Sequence, residues 1–165
     1  MRWIPGVDVD RAKLRTTLAY RFVPTFTAGV EYNPIADDVG PIANWLVMPE
    51  TKDRPALILG TSSDRIGTPH GRAVYATFSK DLEDCTGLPV APYAGAAYGS
   101  FDEEVVAIGG LAIHWSRRLT TTHLWDGHNL HHIAETPIGE HQTLGLVLVD
   151  IDGEYDLGVT YSLGF

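Results

Sequence analysis

The sequence predicts an all-β fold, an antiparallel up-and-down β-barrel of about twelve strands, with ten as the smaller alternative. Three observations carry this expectation. Apolar and polar residues alternate with period two along most of the chain, which places them on opposite faces of strands. Turn signals rich in Gly, Pro, Asn and Asp break the alternation every ~11–15 residues, as a meander of short strands requires. No apolar run approaches the ~18–20 residues of a transmembrane helix.

The elements follow in order. Trp3–Val9 is a short candidate first strand. Asp10 to Leu18 carries some helix formers, but Thr16-Thr17 and the alternation after them favour a strand. In it Leu14, Leu18, Tyr20 and Phe22 share one face, with Arg15, Thr17, Ala19 and Arg21 opposite. Pro24 marks a turn, since proline cannot donate to a ladder. Phe26, Ala28, Val30 and Tyr32 then alternate with Thr27, Gly29 and Glu31. Asn33–Pro41 reads as a loop.

Ile42–Met48 and Ala56–Thr61 are strands around a charged turn, followed by the polar loop Ser62–Gly71. Arg72–Lys80, Val90–Gly99, Val105–Trp115 and Leu119–Trp125 continue the meander. Asp126-Gly127 is a hairpin signal, after which His128–Glu135 returns. Glu140–Asp150 runs to a second tight turn, Asp152-Gly153. The last segment sets Tyr155, Leu157, Val159, Tyr161, Leu163 and Phe165 against Asp156, Gly158, Thr160, Ser162 and Gly164. That makes eleven strands, or twelve with Trp3–Val9. Twelve is favoured because bacterial single-chain membrane barrels have even strand numbers.

Strand length and face chemistry point to a membrane. A tilted spanning strand needs ~9–11 residues. The face opposite the large apolar side chains is often Gly, Ala, Ser or Thr, unlike the charged outer face of a soluble sandwich. Arg15, Arg21 and Glu31 are exceptions and would pair across a polar lumen. Trp115, Trp125, Tyr155 and Tyr161 suit bilayer interfaces. The closing strand, ending in Phe165 with Tyr at alternate positions before it, resembles that of bacterial outer-membrane β-barrels. The resemblance implies a transmembrane barrel, outer-membrane lipid and the barrel-insertion machinery as partners, and a periplasmic C-terminal end. Met1-Arg2-Trp3-Ile4-Pro5 lacks the apolar stretch of a secretory leader. A trimmed mature chain, part of a longer chain and a soluble protein all fit that observation.

The net charge of −9 and the absence of a basic stripe exclude nucleic acid as an expected partner. No cofactor is expected, and the single Cys85 cannot form an internal disulfide. Two patches carry candidate chemistry. The loop after Thr61 holds Ser63, Asp64, Arg65 and His70, the ingredients of either a hydrolytic loop or a shape-fixing Asp–Arg turn. The second patch holds His123, Asp126, His128, His131, His132 and His141. If His128–Glu135 is a strand, His128 and His132 share a face opposite His131. The spacing matches no structural zinc motif, and no metal is expected. Ser63, Asp64, Arg65, His70, Asp126 and His128 are the candidate binding residues. Strand counting from a periplasmic Phe165 puts both patches on the same outer rim.

Three functions are open at this point. The first is an outer-membrane barrel with a structural or narrow-pore role, cation-preferring if it conducts. The second is a lipid or lipid-A hydrolase with a rim Ser/His site. Outer-membrane lipid-A deacylases and phospholipases resemble this chain in size class, but their His–x–Ser arrangement is matched only in letters by His114-Trp115-Ser116. The third is a soluble β-domain binding a small molecule or a partner protein. Asp102-Glu103-Glu104 reads as a solvated turn.

Overall fold

The computed structural model describes residues 1–164. Twelve antiparallel strands close into a barrel in sequence order, the first pairing with the last. The strands are β1 (Arg2–Trp3), β2 (Leu14–Val23), β3 (Phe26–Asn33), β4 (Asp38–Met48), β5 (Ala56–Ser63) and β6 (Arg72–Ser79). They continue as β7 (Val90–Gly99), β8 (Glu104–Ser116), β9 (Leu119–Trp125), β10 (Leu130–Pro137), β11 (Gln142–Ile151) and β12 (Glu154–Leu163). Two single-turn helices, α1 (Asp10–Lys13) and α2 (Glu83–Thr86), interrupt the meander. Phe165 and the insertion signal expected of it lie outside the described residues.

β1 is a two-residue clasp rather than the strand expected over Trp3–Val9. Arg2 faces Thr160 on one side and Arg15 on the other, which closes the ring. After Trp3 the chain leaves the wall. Ile4, Val7 and Ala12 turn inward and pack on Val147 and Val149 of β11, flanked by Ile66, Ile133 and Ile151. Burying Ile4 and Val7 stabilises the fold by about 1.5–3 kcal/mol for each side chain, against about 0.5–1.5 kcal/mol for each ladder bond forgone. The expected strand through Asp10–Leu18 likewise starts only at Leu14, because Asp10–Lys13 forms the helical turn that brings Arg11 inward.

Arg11 straps this inner segment to the loop after β5. Its Nε donates to the Thr68 carbonyl at 2.9 Å and its Nη1 to the Gly71 carbonyl at 2.7 Å. Thr68 Oγ1 accepts from Nη2 as well. A buried guanidinium must have such acceptors, since unpaired burial of charge is costly.

Other boundaries also shift. The expected loop Asn33–Pro41 shrinks, because β4 already starts at Asp38 and Pro41 pairs opposite Val30 within it. The Asp126-Gly127 hairpin is a four-residue loop, so β10 starts at Leu130 and His128 is not on a strand. Asp152-Gly153 is the expected two-residue turn, with φ of 53° and 88°. Positive φ at both central positions is the type I′ geometry that matches strand twist.

The barrel is apolar outside, and its interior combines the apolar cluster with buried polar groups. Leu18, Tyr20, Phe22, Val105 and Leu157 stand outward and exposed, Tyr20 at 66% and Val105 at 70%. Glu31 and His131 are at 0%, and Asn33 is almost fully buried. Period two explains this directly: the greasy parity of each strand faces out and the alternate parity lines the lumen.

Candidate functional site

Antiparallel pairing puts the β3–β4, β5–β6, β7–β8, β9–β10 and β11–β12 turns at one end of the barrel. The two chemical patches therefore share a rim, and they meet at Asp102. Arg65 donates to Asp102 Oδ2 through Nε at 3.2 Å and Nη2 at 3.1 Å. His128 Nε2 lies 3.0 Å from Glu104 Oε1 and 4.0 Å from the same Asp102 oxygen. Asp102 and Glu104 are thus half-buried or exposed members of an ion cluster rather than only a solvated turn. Their place at the same end as His128 was the one signal that could have marked them.

Asp64 fixes the loop geometry. Its Oδ1 accepts from the Arg65 amide and its Oδ2 from the Phe101 amide, both at 2.9 Å. A Cβ at Gly99 would stand 2.5 Å from Asp64 Oδ1, so glycine is needed there for the carboxylate to fit. Asp64 is therefore a latch between the β5–β6 loop and the β7–β8 turn. His70 stacks edge-on against Phe101, with ring centroids 5.0 Å apart. Ser63 lies in the wall of the lumen. No Ser–His hydrogen bond is formed between Ser63 and His70 among the described residues, so this loop holds the ingredients of acyl transfer without the geometry.

The histidine patch divides by parity. His131 points into the barrel, whereas His123 and His132 point out, their Nδ1 atoms 2.7 Å apart across β9 and β10. His141 belongs to the turn at the far end, between β10 and β11. The expected sharing of a face by His128 and His132 fails because His128 sits in the loop. Inside, Asp126 caps its own loop, with Oδ1 accepting from the amides of His128 and Asn129. Its Oδ2 is 2.8 Å from His131 Nε2.

Hydrogen bonding sets the tautomer of His131. The Asp150 amide donates to Nδ1 at 3.2 Å, so Nε2 carries the proton given to Asp126. Both ring nitrogens are then occupied. A general base needs a free lone pair beside a nucleophile, and His131 has none. Burial acts to raise the Asp126 pKa, but the bonds from His131 and from the Asn129 and His128 amides outweigh it and hold the carboxyl below its ordinary value.

Asp102, Glu104 and His128 could offer a cation one ligand atom each, all within 4.8 Å of one another. Arg65 already occupies Asp102, so a metal there would face a guanidinium. Beneath this rim lies a cavity of about 360 Å³. Ala73, Ala97, Ile108, Leu124, Ile133 and Val147 supply apolar wall, and the rim residues Asp102, Glu104, Asp126 and His128 also border it.

Arg2 and Arg15 border the same cavity from a charge belt centred on the buried Glu31. In that belt Arg15 Nη2 meets Glu31 Oε2 at 2.5 Å, and Asn33 Nδ2 donates to Glu31 Oε1 at 3.0 Å. Arg72 Nη2 pairs with Asp38 at 3.1 Å and Nη1 lies 4.0 Å from Glu31. Arg15 and Glu31 do pair on the lumenal side, but along the neighbouring strands β2 and β3 rather than across the lumen, and Arg21 forms no ion pair among the described residues. Comparison of the chain with protein-family models, with curated proteins and with solved structures finds no match.

Proposed function

We propose that this chain is an outer-membrane β-barrel with a closed lumen and a structural role. The observation that carries the reading is the exposed apolar outer face of the barrel around an interior that buries polar groups. Large aliphatic and aromatic side chains cover the outside, while Glu31, Asn33, Arg11 and His131 are buried within. Water would penalise that outer surface, and a hydrocarbon phase removes the penalty. The charged belt inside would be costly in a soluble core without equivalent burial of apolar surface.

Further details agree. Most strands have 8–13 residues, close to the ~9–11 a tilted span needs. Tyr20, Phe22 and Phe26 cluster at one end of β2 and β3, with centroids 5.0 and 6.2 Å apart. Tyr32, Tyr98, Trp125 and Tyr155 stand exposed toward the other end. Two aromatic bands at opposite ends suit two bilayer interfaces. No helix among the described residues is long and apolar enough to cross a membrane.

The closed lumen favours a structural role over a narrow pore. The Ile4–Lys13 segment and the Arg–Glu belt occupy the interior where ions would pass. The test is electrophoresis of folded protein in detergent with and without heating, together with planar-bilayer recording. A heat-dependent shift in mobility with no conductance steps is the expected result. A monomer that stays soluble without detergent would overturn the membrane reading, and discrete steps would restore the pore.

A further inference from the structure

We propose that the lumenal cavity binds a small amphipathic carboxylate, with its headgroup on Arg2 and Arg15 and its hydrocarbon against the apolar wall. The inference starts from charge. Arg2 Nε is buried without a hydrogen-bond partner. Glu31 pairs with Arg15 and Asp38 with Arg72, and Arg2 forms no ion pair among the described residues. Glu135 borders the space below Arg2 and Arg15 but forms no ion pair with either among the described residues.

A guanidinium stays protonated at any ordinary pH, so it cannot escape the cost of burial by losing its proton. Arg2 and Arg15 stand directly opposite each other across β1 and β2. Two adjacent guanidiniums, of which only Arg15 has an ion-pair partner among the described residues, leave room for one more anion. A carboxylate suits the guanidinium fork better than a spherical ion does.

The cavity decides the rest of the ligand. Its volume of about 360 Å³ lies within the range of small-molecule sites. Ala73, Ala97, Ile108, Leu124, Ile133 and Val147 offer a hydrocarbon chain an apolar bed. The rim fixes the direction of binding. Asp102, Glu104 and Asp126 would repel an anionic head, so the carboxylate goes to the arginine side and the chain lies in the remaining space.

The test is calorimetric titration of the folded protein in detergent micelles with sodium octanoate, with titration into empty micelles subtracted. Octanol, acetate and sulfate serve as probes of chain alone, head alone and plain anion. Saturable 1:1 binding of octanoate is expected, weakened at least tenfold in Arg2→Gln. Ala97→Leu narrows the apolar bed without touching the charge and should weaken octanoate while leaving acetate unchanged. That variant also keeps the proposal testable if Arg2→Gln fails to fold. Absence of saturable binding, or equal binding by wild type and Arg2→Gln, would overturn the site. Sulfate competing as well as octanoate, or octanol binding as tightly, would overturn the amphipathic carboxylate as its ligand.

Discussion

The His131 imidazole is locked between a carboxylate and a backbone amide: Nε2 lies 2.8 Å from Asp126 Oδ2 and Nδ1 accepts from Asp150 at 3.2 Å. This ties the β9–β10 loop to β11 through one side chain at 0% exposure. His131→Ala removes both bonds and leaves a carboxylate oxygen and an amide unpaired. The expected loss is roughly 2–3 kcal/mol of stability, read as a lower urea midpoint for unfolding from lipid vesicles. An unchanged midpoint would mean that the pair forms no stable part of the fold.

The depressed pKa of Asp126 gives a pH dependence with a definite sign. A carboxyl whose folded pKa lies below its unfolded value contributes stability above the ordinary range, near pH ~3.9. That contribution is lost as pH falls through the folded value. Acidification from about pH 5 downward should therefore loosen the 126–131 loop. Hydrogen exchange of the His128 and Asn129 amides, which donate to Asp126, is the measurement. Exchange should accelerate with acid relative to neighbouring turns, and Asp126→Asn should remove that dependence.

Glu31 is the anion on which Arg15 converges, with Arg72 nearby and Asn33 donating to it. Glu31→Gln keeps the shape and removes the charge, leaving the partly buried Arg15 without its counterion. Breaking one partner of a buried pair costs about 3–5 kcal/mol. Removing both partners in Glu31→Leu with Arg15→Leu should cost less than Glu31→Gln alone, since no orphan charge remains at either position. Urea unfolding of the three proteins decides it, and additive losses would contradict the pairing.

Much of the wall was legible because alternation is local. The parity of Leu18, Tyr20 and Phe22 against Arg15 and Glu31 can be read residue by residue, and closing the barrel only adds which parity faces out. The Ile4–Lys13 segment was not legible. Its apolar residues look like a short strand, and only the empty space inside the barrel makes packing on Val147 and Val149 the better use of them. The rim was half legible: strand counting puts Arg65 and His128 at one end, but nothing in the turn Asp102–Glu104 says that its carboxylates will meet them. His131 and His132 are adjacent letters with opposite environments because successive residues of β10 face opposite sides of the wall.

The face assignment has a direct test in a charge placed on either side of the wall. Leu146 is mid-strand on β11 and stands outward, exposed, opposite Val159 of β12. Ser162 lines the open lower lumen with Glu135. On the proposed membrane reading Leu146→Arg sets a guanidinium in hydrocarbon, at a cost of about 2–4 kcal/mol near the bilayer midplane. Ser162→Arg meets water, with Glu135 opposing the like charge of Arg2 and Arg15 around the same space, so its cost should be the smaller of the two. Unfolding from bilayers reads both, and the difference depends on the lipid: in a soluble protein the exposed Leu146→Arg would be the milder change. Reversal of the two would therefore place water, and not lipid, on the apolar face.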